Sequence, residues 1–245
     1  MKIISWNLNH RTNEKAIPID ALKFFEKYAP HLIVLNEYVD GDSRNDFKRQ
    51  LNEIGYSHQL CSLKRDKQNQ SFVASRQGIQ VGNLPKPDFT EAATTNFLHV
   101  SVPDSNIEIV GFRAPAYKKT LEKRGYWKQL SDIVSSTNNG NIVFLGDINY
   151  DPFFDLTEEV SEINFSHSPK FTIPNPKGEW SYISSNGKNI SRIDHAIISK
   201  NINATNVEYL ASYCGIKLAG CKFDLPISDH AVLSLNVDVA KIPTL

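Results

Sequence analysis

Residues 3–37, IISWNLNHRTNEKAIPIDALKFFEKYAPHLIVLNE, read as a strand, a helix and a second strand. Ile3-Ile4-Ser5-Trp6 is extended. Pro18 stands where the first turn of a helix tolerates proline, and Ile19, Leu22, Phe25 and Tyr28 follow at helical spacing until Ala29-Pro30 ends the run. Leu32-Ile33-Val34-Leu35 is a short apolar run of the kind that forms a buried strand. A helix between two strands normally makes them parallel neighbours. Asn7 and Glu37, at the C-terminal ends of these strands, are therefore expected on one edge of one sheet.

Further along, Ser71-Phe72-Val73-Ala74-Ser75, Thr95-Asn96-Phe97-Leu98-His99-Val100 and Ile107-Glu108-Ile109-Val110 read as antiparallel strands with polar turns between them. A helix then carries Trp127, Leu130, Ile133 and Val134 on one face, closed by Asn138-Asn139-Gly140, and Ile142-Val143-Phe144-Leu145 is the next strand. Arg113 and Asp147 thus follow the C-terminal ends of two strands joined through a helix. Two late segments reverse the arrangement: Asp194 opens Ile193-Asp194-His195-Ala196-Ile197-Ile198, and Ser228-Asp229-His230 leads into Ala231-Val232-Leu233. If these strands run opposite to the earlier ones, their starts meet the edge where the others finish. His195, at the opposite phase to Asp194, is expected to pack or face solvent.

Composition sets the outer bounds. The chain has 245 residues, 40% apolar and 22% charged, without repeats or a linker-like shift, which suits one domain over 1–245. Lys+Arg and Asp+Glu are 27 each, so global charge neither favours nor excludes a polyanion partner. Cys61, Cys214 and Cys221 form no Cys-x-x-Cys pair, and plain buried thiols in a reducing compartment are expected. No apolar run approaches the length that a bilayer needs, and the first strand starts beside Met1, leaving no room for a signal peptide. A cytoplasmic protein without a membrane anchor is the expectation, and oligomeric state is not legible. The absence of His-Glu-x-x-His and of Gly-x-Ser-x-Gly argues against zinc and serine hydrolases.

Ser5-Trp6-Asn7-Leu8-Asn9, Leu35-Asn36-Glu37, Gly146-Asp147-Ile148-Asn149, Arg192-Ile193-Asp194 and Ser228-Asp229-His230 stand in order, each at an expected strand end. Together they resemble the ordered motifs of the endonuclease/exonuclease/phosphatase superfamily, the DNase I-like and exonuclease III-like proteins, over residues 5–230. The resemblance implies an α/β fold in which two mixed β-sheets pack as a sandwich with helices on the outer faces. It also implies a divalent-metal-dependent phosphodiesterase using Mg²⁺ or Mn²⁺.

The residue types suit that chemistry. A phosphodiester is anionic, so its hydrolysis needs charge neutralised on the phosphorus oxygens and a positioned water. Glu37 offers the hard oxygen that Mg²⁺ or Mn²⁺ favours, and the resemblance makes it the principal metal ligand, with Asp229 and Asn9 as further candidates. His230 and Asp194 resemble the family's histidine–aspartate pair, in which the carboxylate favours the imidazolium. Asp147 is placed to orient or deprotonate water, with Asn7 and Asn149 holding the carboxylate and a phosphate oxygen through amide donors. Which of Asp147 and His230 is the base stays open. Arg113 stands where many family members have tyrosine or histidine; it is expected to clamp a phosphate, against the alternative of a structural salt bridge.

Nucleic acid is the expected substrate, DNA slightly before RNA. The support is local: Lys118, Lys119, Lys123 and Arg124 interleave with Tyr117, Tyr126 and Trp127; Arg44, Lys48 and Arg49 follow Glu37; Lys64, Arg65 and Lys67 lie in an expected hairpin turn. Trp180, in Trp180-Ser181-Tyr182, is expected either to stack on a base or to join the core. Two alternatives are carried. One is a phosphatase or phosphodiesterase acting on a lipid head group or small molecule, which an exposed apolar loop would favour; Asp151-Pro152-Phe153-Phe154 is the candidate. The other is a non-catalytic nucleic-acid-binding module, against which the intact acids and histidine argue.

Overall fold

The computed structural model describes residues 1–11, 16–66, 68–116, 119–137, 140–153 and 170–239. The chain begins with β1 (Lys2–Arg11), α1 (Ile19–Tyr28), β2 (Leu32–Tyr38), α2 (Asn45–Glu53), β3 (His58–Cys61) and β4 (Gln70–Ser75). It continues through β5 (Gln80–Val81), α3 (Glu91–Thr95), β6 (Phe97–Val102), β7 (Ile107–Arg113), α4 (Thr120–Ser136) and β8 (Ile142–Asp147). The last part holds β9 (Phe171–Thr172), β10 (Tyr182–Ile183), β11 (Ile190–Ser191), β12 (Asp194–Ser199) and β13 (Ile202–Leu210). A hairpin of β14 (Ser212–Tyr213) and β15 (Ile216–Lys217) then precedes β16 (Val232–Val239).

Two mixed sheets result. The first has the order β13-β16-β1-β2-β4-β3, and the second β5-β6-β7-β8-β12-β9. Among the described strands of these two sheets, β1 with β2 and β7 with β8 pair in parallel, each couple joined through a helix as expected. Between the sheets lies an aliphatic core including Val34, Val73, Val100, Ile109, Val143, Leu145, Leu233 and Leu235. α1 and α2 cover the outer face of the first sheet, where Trp6 meets Phe24 and Phe25 edge-on at 6.1 Å. α4 covers the outer face of the second with Tyr126, Trp127, Leu130 and Val134. The expected sandwich with outer helices is therefore the fold.

Some local expectations give way. Thr95 belongs to α3 rather than a strand, because Thr90 caps that helix by accepting a hydrogen bond from Ala93 N. Pro18 is extended, at the helix N-cap instead of inside the first turn. Tyr126 and Trp127 are buried under α4 and offer no exposed ring. Arg44 is buried too, its Nε donating to Val39 O at 3.1 Å, while Lys48 pairs with Asp40 and Arg49 with Asp46 and Glu53. That basic cluster is thus tied into local ion pairs. Lys67, Tyr117, Lys118, Asn138, Asn139 and Phe154 lie outside the described residues. No described helix is long and apolar enough to cross a membrane.

Glycine brings the sheets and strand ends close. A Cβ on Gly111 would lie 2.6 Å from Val34 Cγ1 across the core. At Gly146, with φ +153, it would lie 1.7 Å from the Phe112 carbonyl oxygen, a backbone atom with nowhere to go. Gly146→Ala is accordingly expected to lower unfolding stability by roughly 3 kcal/mol or more. Gly78→Ala, where a Cβ meets nothing within 4 Å, should stay within about 0.5 kcal/mol. Urea denaturation of both variants checks this.

Candidate active site

Register alone assembles half of the site. Arg113 at the end of β7 is paired with Asp147 at the end of β8, and Asp147 with Asp194 at the start of antiparallel β12. The three residues therefore form one row across the second sheet. On the first sheet, Asn7 of β1 is paired with Asn36 of β2, next to Glu37, and antiparallel β16 starts just after His230. Two strand pairs of the first sheet lose regular register at this edge, β1 with β2 between Asn7 and Arg11 and β2 with β4 between Leu35 and Tyr38. Such bulges re-aim side chains at strand ends. Asn9, Glu37 and Asn149 all have left-handed backbone, with φ 54, 53 and 54. Asparagine visits that region readily, whereas glutamate there is strained, and such strain gathers at functional positions.

Three polar contacts then join one sheet to the other. Asn7 Nδ2 donates to Asp147 Oδ2 at 3.0 Å. Arg113 Nε lies 2.8 Å from Glu37 Oε1 and 3.3 Å from Asp147 Oδ2, as an ion pair rather than an aimed hydrogen bond. His230 Nδ1 and Asp194 Oδ2 are 2.9 Å apart. Asn7, Glu37, Asp147, Asp194 and His230 are all buried. The expected gathering of Glu37, Asp147, Asp194 and His230 at one rim is what the coordinates contain.

Supporting contacts hold each member in place. Asn7 Oδ1 accepts from Asn9 N at 2.9 Å, so both ends of the Asn7 amide are committed inside the protein. Asp147 Oδ1 accepts from the backbone N of Asn149 at 3.0 Å, while the Asn149 side chain donates to Ala114 O at 2.5 Å. Asn149 thus steadies Asp147 through its backbone and not its amide. The Ser228 hydroxyl donates to Asn7 O at 2.7 Å, and Trp6 Nε1 to His230 O at 2.8 Å. Ser181 Oγ accepts from the backbone N of Ile193 and Asp194, and Tyr209 OH donates to Asp194 O at 2.8 Å. Ser181 and Tyr209 carried no sequence signal of their own beyond the period-two alternation that turns Ser181 inward between its aromatic neighbours.

Of the two readings of Trp180, the structure takes the core one. Trp180 is half-buried against the inter-sheet core, and the ring 5.0 Å from His230 belongs to Tyr182. Lys119 is exposed and faces Glu122 at 3.6 Å, one turn along α4. His195 is buried, its Nε2 against Arg192 O at 2.7 Å, as its strand phase suggested.

Electrostatics follow from burial. Desolvation pushes the Asp147 carboxyl up to about 6, with Asp194 and Glu37 adding to the rise and His230 and Arg113 opposing it. Burial works against a charge on His230, but the charge and hydrogen bond of Asp194, helped by Asp147 and Asp229, prevail and push the imidazole up to about 9. Half-buried Asp229 is also raised, by desolvation first and by the charge of Glu37. Among the described residues no three acidic, histidine or cysteine side chains form a closed metal cage. Magnesium does not need one, because it is commonly held on one or two carboxylates and keeps several waters. Glu37, Asp229 and Asn9 offer only oxygen acceptors suited to a hard ion, and the two carboxylates repel each other, so this donor set fits a divalent cation.

The model of the Endonuclease/Exonuclease/phosphatase family matches residues 4–230. No curated protein matches the sequence. Among solved structures, the 3'-5' exonuclease NExo from Neisseria meningitidis is similar over 97% of this chain and 100% of its own, with 18% identity and TM-score 0.69. The Neisseria 3' phosphatase NExo bound to a product DNA hairpin gives 97% and 99% coverage, 18% identity and TM-score 0.69. An AP endonuclease from Archaeoglobus fulgidus covers 98% of this chain and 100% of its own at 14% identity, TM-score 0.65. At these identities the likeness is one of fold.

The paired His230 and Asp194 yield a signed prediction. The folded imidazole titrates near 9 against an ordinary 6.5, so its stabilising contribution is full below pH 6.5 and is lost as pH rises through 9. In metal-free protein that loss should be on the order of 3 kcal/mol. Asp147, titrating at about 6, has released most of its proton by pH 7, so the loss above pH 7 belongs to the imidazole. Asp194→Asn should flatten the stability profile between pH 6.5 and 9, and NMR titration should find the His230 pKa lower by at least ~1 unit.

Proposed function

The chain belongs to the Endonuclease/Exonuclease/phosphatase family, and from that premise we propose that it is a divalent-metal-dependent phosphodiesterase, a nuclease acting on DNA or RNA. The observation that carries the reading is the trio of contacts between the sheets, Asn7 with Asp147, Arg113 with Glu37 and His230 with Asp194. Structural stability alone does not call for so many buried charges, since desolvating them costs more than apolar packing would.

Glu37, with Asp229 and Asn9, would hold Mg²⁺ or Mn²⁺, which supplies Lewis-acid polarisation of a phosphate oxygen. The rest is the work of side chains. Asp147 takes the proton of the attacking water. Its carboxylate is fixed by Asn7 Nδ2 and Asn149 N, and burial brings its basicity near neutrality, where a general base works best. His230 has Nδ1 engaged with Asp194, which leaves Nε2 as its proton donor toward a phosphoryl or leaving oxygen. Because Asp194 favours the imidazolium, His230 acts as the cationic partner and Asp147 as the base. Arg113 Nε faces the two acids, so its Nη groups remain for a phosphate oxygen, a fixed cation that needs no titration.

A terminal phosphomonoester on a nucleic acid is the second substrate that this reading admits. It is favoured by the Neisseria protein, described both as a 3'-5' exonuclease and as a 3' phosphatase bound to a DNA hairpin. The cysteines are free among the described residues, which suits a reducing, cytoplasmic setting, but they are not the buried thiols expected: Cys214 is exposed and Cys61 and Cys221 are half-buried.

Labelled DNA and RNA, with intact and 3'-phosphorylated ends, assayed with Mg²⁺, Mn²⁺ or EDTA beside bis-p-nitrophenyl phosphate, test the proposal. Glu37→Gln and Asp147→Asn should each lower metal-dependent turnover by roughly 10²- to 10³-fold. Arg113 retains Asp147 as a counter-charge in Glu37→Gln, so that variant should stay folded. A wild-type rate for either variant would remove that residue from the chemistry.

A further inference from the structure

Next to the rim, the loop between β15 and β16 exposes two large apolar side chains. Phe223 is 73% exposed and Leu225 89%. Leu225 has left-handed backbone, φ 51, at the end of a short turn over Lys222–Asp224. Exposed apolar residues are ordinary when scattered, but these two stand two positions apart on one loop, with Leu225 between two concavities. On one side a cavity of about 260 Å³ is lined by Asn9, Ser185, Lys222, Ser228 and Asp229, and so opens on the rim. On the other a cavity of about 440 Å³ is lined by Asp20, Lys23, Lys27, Lys217 and Cys214, three cations to one acid. Leu225, Pro226 and Ile227 line both, so the two concavities flank one stretch of loop, which together with them is here called the groove; Phe223 stands beside it without lining either cavity.

The charges along this groove suit an anion. Lys23 and Lys217 are half-exposed while paired with Asp20 and Asp224, and Lys27 adds an exposed ammonium from the same face of α1. Lys222 Nζ stands 5.1 Å from the centroid of the Phe223 ring, giving the loop a cation beside a π-face. Alternation of ammonium groups with an exposed aromatic ring is how proteins track a single-stranded polynucleotide, stacking bases and neutralising phosphates. A membrane fits less well, because a bilayer does not enter concave pockets.

We infer that this groove is a binding subsite for an unpaired nucleic-acid segment, with Phe223 and Leu225 taking a base and Lys23, Lys27 and Lys217 the phosphates beyond it. The inference rests on the nuclease reading and adds where the strand leaves the reacting phosphate. It also makes an unstacked end or single strand the preferred substrate.

Fluorescence anisotropy of labelled oligothymidylates of increasing length, in EDTA, measures the subsite without turnover. Phe223→Ser with Leu225→Ser should weaken binding about 5- to 100-fold, and Phe223→Trp should retain it. Lys27→Ala with Lys217→Ala should lower the slope of log Kd against log salt by about 1.4. Lys200→Ala, at the opposite end of β12 from Asp194, should change neither. Unchanged affinity and slope in the groove variants would overturn the inference. So would failure of the wild-type protein to bind the oligomers, or binding of phosphatidylserine vesicles that depends on Phe223 and Leu225 while oligomer affinity does not. Metal-dependent hydrolysis of bis-p-nitrophenyl phosphate by the wild-type protein tests the phosphodiesterase reading separately: if it persists while the groove variants bind normally, only the subsite is lost.

Discussion

The two sheets of this protein have polar ends that are completed only by each other. Asp147 accepts from Asn7, Glu37 faces Arg113, and Asp194 holds His230, and in every case the partners come from different sheets. A buried charge without a partner costs several kcal/mol, so the aliphatic core and these contacts constrain each other. If the sheets slid, the acids would be buried without partners; if the contacts were removed, the rim would have to open to water. Gly111 and Gly146 belong to the same constraint, because they permit the close approach that brings the partners within reach.

That constraint also sets the chemistry. Asp147, Asp194, Glu37 and Asp229 carry more negative charge than Arg113 and His230 offset, in surroundings that solvate ions poorly. The balance can be restored by protonating an acid or by binding a cation. Asp147 and Asp229 both bind their protons more tightly than free carboxyls do, with desolvation as the main cause. Such a charge balance suits a hard cation and a base near neutrality, the two needs of phosphodiester hydrolysis on which the proposed function rests.

The legible part of the site was the part carried by strand ends. Leu35-Asn36-Glu37, Gly146-Asp147 and Ser228-Asp229-His230 each pair an apolar run with a polar residue at a fixed phase, and direction plus register did the rest. Less legible were roles decided by short-range geometry. The Asn149 amide turns to Ala114 O, Tyr182 and not Trp180 meets His230, and Arg44 disappears under Tyr38. Such outcomes depend on side-chain direction in turns and on a few tenths of an ångström, which periodicity does not encode. The cluster of Arg44, Lys48 and Arg49 turned inward for a different reason: Lys48 and Arg49 have acids within one turn or across a short loop, and Arg44 is buried on the Val39 carbonyl.

The loop carrying Phe223 and Leu225 obeys neither constraint. Its anchors are buried: Ile227 and Ser228 pack and hydrogen-bond beneath it, with Ser228 tied to Asn7 O. Its crest is solvated and has few partners to satisfy. A substitution at the anchors disturbs His230 and Asp229 through the adjoining backbone, whereas one at the crest changes only what the rim meets. On this scaffold the reaction is therefore held by the sheets, whose contacts are mutually dependent, and substrate preference is free to reside in the loops, where Lys222, Phe223 and Leu225 stand beside the acids without holding them in place.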